Sequence, residues 1–427
     1  MDSETPKVVL KDARGTVIGD ENAIYQYFLA DDRGPALAER LLTFTSLIED
    51  KTRHFVGRDF LMRKLDSFLL QQPSGYFVIT GLPGIGKTAL IAELVKRRHY
   101  IHHFNEVLSG TTTTEQFLQS VCVQLITSMG LSRAYDVLAA SRSSHYLSEL
   151  LEEASGPESG SQKIVIAVDA LDEAESLSDL RSNALLLPPR LPKGIYFVVT
   201  SRIREELQLR VECPEEYFYL DSSGDDNMED VRIYLENAAQ GQGMRGFLER
   251  AALNPTVFVD TLIAKSEGNF MYLRYVVPEI EAGRYPELKL KDLPQGLIGY
   301  YNHHWRRMRA SETETWVNDR QPVISILAAV REPVSPAQLS RFSGVPLPRV
   351  RAALHDWREF LDERRNDGER KYSIYHSSFQ EFLLTKAEVG EINLQDSHRQ
   401  IGRSLLDEWQ EEKMRQGSRK GREAEEL

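Results

Sequence analysis

The segment GYFVITGLPGIGKTALIAELVKRR, residues 75–98, decides the fold of this chain. Its first part, YFVIT, is an apolar run that favours a buried strand, and its last part, ALIAELVKRR, has the spacing of an amphipathic helix. Between them, residues 81–88 read GLPGIGKT and complete the pattern G-x-x-x-x-G-K-[ST]. Because this pattern cradles phosphate where a strand leads into it and a helix follows, the segment predicts a nucleotide-binding P-loop.

The residue types of the P-loop match the chemistry of a nucleoside triphosphate. Gly81, Gly84 and Gly86 let the backbone curl so that successive N–H groups point at phosphate oxygens. The positive end of the following helix adds to this attraction. Lys87 is expected to reach the β- and γ-phosphates, and the Thr88 hydroxyl to ligate Mg²⁺. The predicted binding residues are Gly81, Leu82, Pro83, Gly84, Ile85, Gly86, Lys87, Thr88 and Ala89, with ATP or ADP and Mg²⁺ as ligands.

Two further strand ends supply the polar groups that a P-loop needs. KIVIAVDALDEAE (163–175) ends an apolar strand in Asp169, which is predicted to hold Mg²⁺ together with Thr88. Asp172 or Glu173 would orient or deprotonate the attacking water, and the sequence leaves the choice between them open. The predicted strand within GIYFVVTSRIREEL (194–207) ends in Thr200-Ser201-Arg202. Arg202 would stabilise the γ-phosphate charge unless it is a solvated rim residue.

The composition defines the broad class of protein. The 427 residues suggest about three structural units. With 52 Lys and Arg against 64 Asp and Glu, the net charge of −12 argues against a general nucleic-acid or anionic-membrane binder. The two cysteines, Cys122 and Cys213, form no disulfide or zinc framework. The N-terminal residues show neither a basic nor an apolar segment, so no signal peptide is expected. No stretch reaches the length of a membrane span, and a cytoplasmic protein is therefore expected.

The order of apolar runs predicts the architecture. Strands are expected at 75–80, 100–108, 163–169 and 194–200, alternating with helices, as in a parallel sheet covered by helices on both faces. A helical domain and then a winged-helix domain should follow this α/β P-loop core. The predicted boundaries are 1–52 for an N-terminal motif and connector, 53–215 for the P-loop domain, 216–315 for the helical domain, 316–388 for the winged helix and 389–427 for a charged helix or tail.

Seven segments in a fixed order resemble the NACHT/NB-ARC branch of the STAND NTPases, which are signalling ATPases of innate immune receptors and their bacterial counterparts. Besides GLPGIGKT they are FVGRD (55–59), VDALDEA (168–174) with VVTSR (198–202), SEGNFMYLRYVV (266–277) with LPQGLIGYYNHHWRRM (293–308), and YHSSFQEFLL (375–384). The resemblance covers residues 53–386. It implies that Val56, Gly57 and Arg58 border the adenine and that His376 contacts the β-phosphate of bound ADP. Tyr375-His376-Ser377 departs from the Met-His-Asp triplet of the animal and plant receptors.

This resemblance implies a slow, regulatory ATPase. ADP would be held between the P-loop and winged-helix domains, and the ATP form would oligomerise and engage an effector, in immune, antiphage or programmed-death signalling. The alternatives are an origin-recognition-type AAA+ ATPase on DNA and a nucleotide-stabilised scaffold that does not hydrolyse. Residues 318–388 carry eleven basic and ten acidic side chains, which does not favour DNA.

Three further patterns each allow a functional and a structural interpretation. KVVLKDARGTVIGDENAIYQYF (7–28) resembles amyloid-signalling motifs, so residues 6–29 are a candidate effector contact, with a hairpin or tail as the alternative. The histidines of RRHYIHHF (97–104) lack nearby Cys or acidic partners, so no metal is expected there. The aromatic run YYNHHW (300–305) is interpreted as helix packing rather than a base-stacking surface.

Overall fold

The computed structural model describes residues 44–106, 110–131, 144–156, 163–175, 183–202, 209–283, 292–311, 313–366 and 369–425. These residues form two compact units. The first contains the described residues within Met1–Gly81, Lys87–Glu106 and Thr111–Tyr219, and the second those within Leu82–Gly86, Val107–Gly110 and Leu220–Leu427. The predicted effector motif at 6–29 lies outside the described residues.

One sheet organises the described part of the first unit. Its strands are β1 (Gly75–Gly81), β2 (Ile101–Phe104), β3 (Ile164–Asp169), β4 (Ile195–Ser201) and β5 (Glu215–Leu220), in the spatial order β2-β3-β4-β1-β5. β1 pairs in parallel with β4, β4 with β3, and β3 with β2. The predicted parallel sheet is therefore confirmed, and its parallel strands deliver their carboxyl ends to one edge.

One predicted strand is shorter than expected, and one strand was not predicted. β2 ends at Phe104, whereas the sequence suggested a strand to residue 108. The Phe104 carbonyl accepts a hydrogen bond from the Thr111 hydroxyl, and the Asn105 N–H donates to the Asp169 carbonyl at the end of β3, so the chain turns there. The last strand, β5, was not predicted, because its side chains alternate between exposed and half-buried positions at the sheet edge.

Helices cover both faces of the sheet, as predicted. They are α1 (Thr45–Thr52), α2 (Asp59–Gln71), α3 (Lys87–Arg98), α4 (Thr114–Met129) and α5 (Ser144–Ala154). Tyr76 and Val78 of β1 pack into one apolar cluster with α4 and α5. Phe77 points to the opposite face, where its ring lies 5.5 Å from that of Phe68 on α2. The alternation of strand side chains thus gives the sheet two buried faces.

The second unit consists mainly of helices. They are α6 (Asp225–Gln240), α7 (Gln242–Arg250), α8 (Pro255–Ser266), α9 (Phe270–Glu281), α10 (Gly296–Ser311), α11 (Gln321–Ala329), α12 (Pro336–Ser343), α13 (Leu347–Trp357), α14 (Ser377–Glu388) and α15 (Leu394–Glu425). β6 (Leu361–Asn366) and β7 (Glu369–Ile374) form an antiparallel pair, and Val334 adds an isolated antiparallel bridge to Tyr372. One apolar cluster runs through this unit from Val231 to Ile392.

The aromatic run at 300–305 lies on α10 and belongs to this core. Tyr300, Tyr301 and Trp305 are buried, and the Tyr300 ring stacks on that of Tyr275 at 5.3 Å with an interplanar angle of 4°. These contacts account for the run as helix packing. Among the described residues, every helix is too short or too polar to cross a bilayer.

Candidate phosphate and magnesium site

The P-loop joins β1 to α3. Gly84 has φ +79° and Gly86 has φ +100°, a left-handed conformation that glycine adopts without strain. Gly84 is also closely surrounded, because a Cβ there would lie 2.6 Å from Oδ1 of Asn269. Gly81 is the last residue of β1 and does not share the positive φ. The curl of the loop therefore depends on two of its three motif glycines.

Lys87 is the first residue of α3, and its side chain turns back over the loop. The Nζ atom donates a hydrogen bond of 2.7 Å to the Gly81 carbonyl oxygen. Burial lowers the pKa of Lys87 to about 8, although the carboxylates of Asp169 and Asp172 oppose that shift. This ammonium group is consequently a proton-sensitive cation at the position where the motif needs positive charge.

Thr88 and Asp169 share one hydrogen-bonded cluster at the end of β3. The Asp169 carboxylate is 2% exposed and accepts hydrogen bonds from the hydroxyls of Thr200 and Thr88. Burial raises the pKa of Asp169, and these two hydrogen bonds oppose the increase. A hydroxyl and a carboxylate are hard oxygen donors of the kind that Mg²⁺ prefers. The donor set present in the structure therefore fits the predicted ion.

The two candidate water-positioning carboxylates converge on one guanidinium. Asp172 and Glu173 lie on a 3-10 turn, Leu171–Glu173, that follows β3. Arg202, just beyond β4, places Nε 3.0 Å from Oδ2 of Asp172 and Nη2 3.2 Å from Oε1 of Glu173. Its guanidinium is mostly buried, with the side chain 14% exposed, so it is not the solvated rim residue of the alternative interpretation.

The centre of the P-loop is bound to the start of α9. The Asn269 side chain donates from Nδ2 to the Pro83 carbonyl oxygen at 2.9 Å, and the Met271 N–H donates to the Gly84 carbonyl at 3.1 Å. Oδ1 of Asn269 accepts hydrogen bonds from the N–H groups of Met271 and Tyr272, which caps the helix. One asparagine side chain thus caps α9 and holds a phosphate-loop carbonyl.

The remaining predicted residues lie in two other segments. Val56 and Gly57 are half-buried, while Arg58 is buried with φ 65° at the start of α2. His376 is the N-cap residue of α14, and its Nδ1 accepts the Ser378 N–H at 3.1 Å. The adenine contact of 56–58 and the phosphate contact of His376 stay predictions.

Three participants were not among the predicted site residues. Thr200 binds the Asp169 carboxylate, Asn105 donates from Nδ2 to the Asp169 main-chain oxygen at 2.7 Å, and Asn269 holds the P-loop. Thr200 and Asn105 stand at the carboxyl ends of strands or just beyond them, which is a usable signal in parallel sheets. Asn269 gave the signal of an N-cap residue before an apolar helix, and it lies in the segment SEGNFMYLRYVV (266–277) that carries the family resemblance.

Comparison with known proteins agrees with the P-loop domain. The family model of the nephrocystin 3 N-terminal region matches residues 58–202, which run from the start of α2 to the arginine after β4. No curated protein sequence matches the chain significantly. Together with the motif and the strand order, the family match defines residues 58–202 as a P-loop NTPase domain.

Solved structures give weaker similarities. A STAND protein with a tetratricopeptide repeat sensor from Pyrococcus horikoshii is 18% identical, with a TM-score of 0.41 over 77% of this chain and 42% of that one. Cdc6p from Pyrobaculum aerophilum is 11% identical, with a TM-score of 0.34 over 77% and 93%. A chain of Drosophila ORC bound to DNA is 15% identical, with a TM-score of 0.36 over 81% and 98%. This chain thus spans less than half the length of the STAND protein.

Proposed function

We propose that this chain is a slow, ATP/ADP-switched signalling ATPase of the STAND type. The observation that carries the proposal is the pair of hydrogen bonds from Asn269 and Met271 to the carbonyls of Pro83 and Gly84. A change in the loop that accompanies a change of nucleotide would alter the contacts of α9 directly. That is the physical requirement for a switch, since a ligand shifts a conformational equilibrium only by binding one state better.

The proposed roles in the P-loop domain follow from the chemistry of the side chains. Lys87 binds the β- and γ-phosphates, and Thr88 and Asp169 hold Mg²⁺, which neutralises phosphate charge when it is bound. Glu173 or Asp172 orients the attacking water, and Arg202 senses the γ-phosphate. Because Arg202 pairs with both carboxylates, γ-phosphate would compete with them for the same guanidinium. The three roles are therefore coupled.

The second unit supplies the proposed regulatory part. We assign α11–α14 with the β6–β7 pair as a winged helix, since helices followed by a two-stranded sheet, with an added bridge at Val334, fit that arrangement. His376, at the N-terminus of α14, would contact the β-phosphate of ADP in the resting state, and Val56, Gly57 and Arg58 would border the adenine. The proposed domains keep the boundaries 1–52, 53–215, 216–315, 316–388 and 389–427.

The activated form is proposed to oligomerise and to engage an effector through residues 6–29, with an immune or cell-death role. One experiment tests the switch: nucleotide is extracted from the purified protein and identified by mass spectrometry, and the mass in solution is then measured with ADP and with ATP and Mg²⁺. Stoichiometric ADP and a larger assembly with ATP support the proposal. A protein that binds neither nucleotide, or that has the same mass in both states, contradicts it, and a size shift only on adding duplex DNA favours the origin-recognition alternative.

A further inference from the structure

A buried polar cluster in the second unit has no role in the phosphate site. It consists of Glu279 on α9, His304 on α10 and Glu359 in the short turn between α13 and β6, and we call it the Glu-His-Glu cluster. One potential ligand atom from each residue lies within 4.8 Å of the other two. His304 is completely buried and Glu279 is 4% exposed. Three separate elements thus bring an imidazole and two carboxylates together away from water.

Polar groups surround the imidazole of His304. Its Nδ1 lies 2.7 Å from Oε1 of Glu359 and 3.1 Å from Nη2 of Arg307, a guanidinium that can only donate. The Tyr300 hydroxyl lies 3.0 Å from a carboxylate oxygen of Glu279 and also of Glu359, and its single proton serves one of them at a time. Two carboxylates, one hydroxyl and one guanidinium thus lie around a single imidazole.

The other imidazole nitrogen is the unsatisfied atom. Nε2 of His304 is buried and has no hydrogen-bond partner among the described residues. Oε2 of Glu279 lies 3.6 Å from Nε2, beyond hydrogen-bond length. Ligand atoms around a tetrahedral Zn²⁺, each about 2.0 to 2.1 Å from the ion, stand about 3.3 Å apart. The observed separation is thus closer to that of two ligands of one ion than to a hydrogen bond.

The charge of the Glu-His-Glu cluster is also compatible with a bound cation. With a neutral imidazole the cluster carries two negative charges, which a protonated His304 or a bound cation would balance. The guanidinium of Arg307 lies 3.1 Å from Nδ1 of His304, but Arg307 is an exposed residue whose charge water screens. A divalent cation would balance both carboxylates, and one imidazole with carboxylates is a donor set that suits zinc and related ions.

We propose that Glu279, His304 and Glu359 bind a divalent transition-metal ion, with Zn²⁺ as the best fit, that fastens α9 and α10 to the turn before β6. Glu359, whose side chain is 14% exposed, faces the more open side, where water would complete the coordination. The site is structural in kind, because it joins three elements of one core. It is independent of the proposed ATPase function.

The experiment uses the full chain. Metal content is measured by mass spectrometry after dialysis, and Zn²⁺ is then titrated into EDTA-treated protein at pH 8 against a chromophoric chelator. This pH is chosen because the two carboxylates raise the pKa of His304, against the effect of burial, so that protons compete with the metal at lower pH. We expect one Zn²⁺ per chain, a higher melting temperature with Zn²⁺, and visible absorption bands with Co²⁺.

The matched variants are His304→Gln and His303→Gln, which change neighbouring positions on α10. Position 304 is buried in the cluster, whereas position 303 is exposed. His304→Gln should lower Zn²⁺ affinity by more than about tenfold, while His303→Gln should leave it unchanged. Equal stoichiometry and affinity in the wild type and both variants would overturn the proposal. So would a wild-type protein that takes up no Zn²⁺ and gives no Co²⁺ bands, which would indicate a protonated His304 between two carboxylates. Should His304→Gln fail to fold, the Co²⁺ spectrum of the wild type still decides.

Discussion

Arg202 contacts both carboxylate oxygens of Asp172, Oδ1 by a hydrogen bond and Oδ2 at ion-pair distance. The main-chain N–H of Arg202 donates to Oδ1 at 3.0 Å, and the guanidinium Nε lies 3.0 Å from Oδ2. The Asp172 side chain is only 2% exposed, so this pairing fixes the turn after β3 against the end of β4. Glu173, at 16% exposure, accepts a hydrogen bond of 3.2 Å from Nη2 of the same guanidinium. From the difference in burial we propose that Asp172 anchors the turn and that Glu173 orients the attacking water.

The first prediction follows from that division. Glu173→Gln should preserve the fold and ATP binding but lower hydrolysis by about a hundredfold or more, because an amide cannot accept a proton from water. Single-turnover assays and the nucleotide retained after gel filtration measure the two effects. Asp172→Asn is the matched variant. If Glu173→Gln hydrolyses ATP at the parental rate, Asp172 becomes the candidate base.

Removing the Arg202 guanidinium, which contacts both Asp172 and Glu173, should lower stability as well as activity. Arg202→Ala would leave the buried Asp172 carboxylate without its ion pair and should lower the free energy of unfolding by about 3 kcal/mol. Urea unfolding of Arg202→Ala and Arg202→Lys measures this, since lysine keeps the charge but loses the fork of donors. Equal stability of Arg202→Ala and the wild type would show that the pair contributes nothing.

The pKa of Lys87 makes nucleotide binding dependent on pH. Since burial lowers this pKa to about 8, the ammonium form dominates at pH 7 and is a minor form at pH 9. If phosphate binds only the charged form, ATP affinity should fall about tenfold between those pH values, and binding at pH 9 should take up a proton. Calorimetry in buffers of different ionisation enthalpy detects that uptake.

Two Lys87 variants control this experiment. Lys87→Arg keeps its charge throughout the range and should remove the pH dependence. Lys87→Ala should bind ATP more than about tenfold more weakly than the wild type at pH 7, and this difference should shrink toward pH 9. A wild-type affinity that stays constant from pH 7 to pH 9 would show that protonation of Lys87 does not govern binding.

Asn269 allows capping and loop contact to be separated. Asn269→Asp keeps an oxygen to cap α9 but cannot donate to the Pro83 carbonyl, so it should retain stability while losing ATP affinity. Asn269→Ala loses both contacts and should in addition lose about 1 kcal/mol of stability. Thermal unfolding and ATP titration of the two variants test this. If Asn269→Asp binds ATP with wild-type affinity, the contact between Asn269 and Pro83 has no part in the proposed switch.

His376 combines a capping role with its proposed contact to ADP. Because its Nδ1 caps α14, His376→Asn is the suitable variant: it keeps a capping acceptor but removes the imidazole. We expect faster ADP release and a shift toward oligomers in His376→Asn, measured by stopped-flow with a fluorescent ADP and by light scattering. If His376→Asn releases ADP at the wild-type rate, the role of His376 is limited to capping α14.

The sequence alone determined the P-loop and the neighbouring strands. GLPGIGKT between an apolar strand and a helix, and an acidic residue at the end of IVIAV, are local patterns whose physical reasons act within a few residues. Parallel pairing then follows because strands separated by helices return in the same direction. The position of Asp169 next to Thr88 could be expected on these grounds.

Tertiary structure alone decided which side chains meet across long separations. Residues 83 and 269 are joined by a side-chain hydrogen bond, and residues 279, 304 and 359 converge in a buried cluster. Neither contact leaves a periodic signal, because each depends on the angle at which helices pack rather than on the local run of residues. The edge strand β5 escaped prediction for a related reason: its half-exposed side chains become a strand only through pairing with β1. Local sequence patterns thus determine where phosphate can bind, at residues 81–88. Long-range packing determines that Asn269 holds this loop.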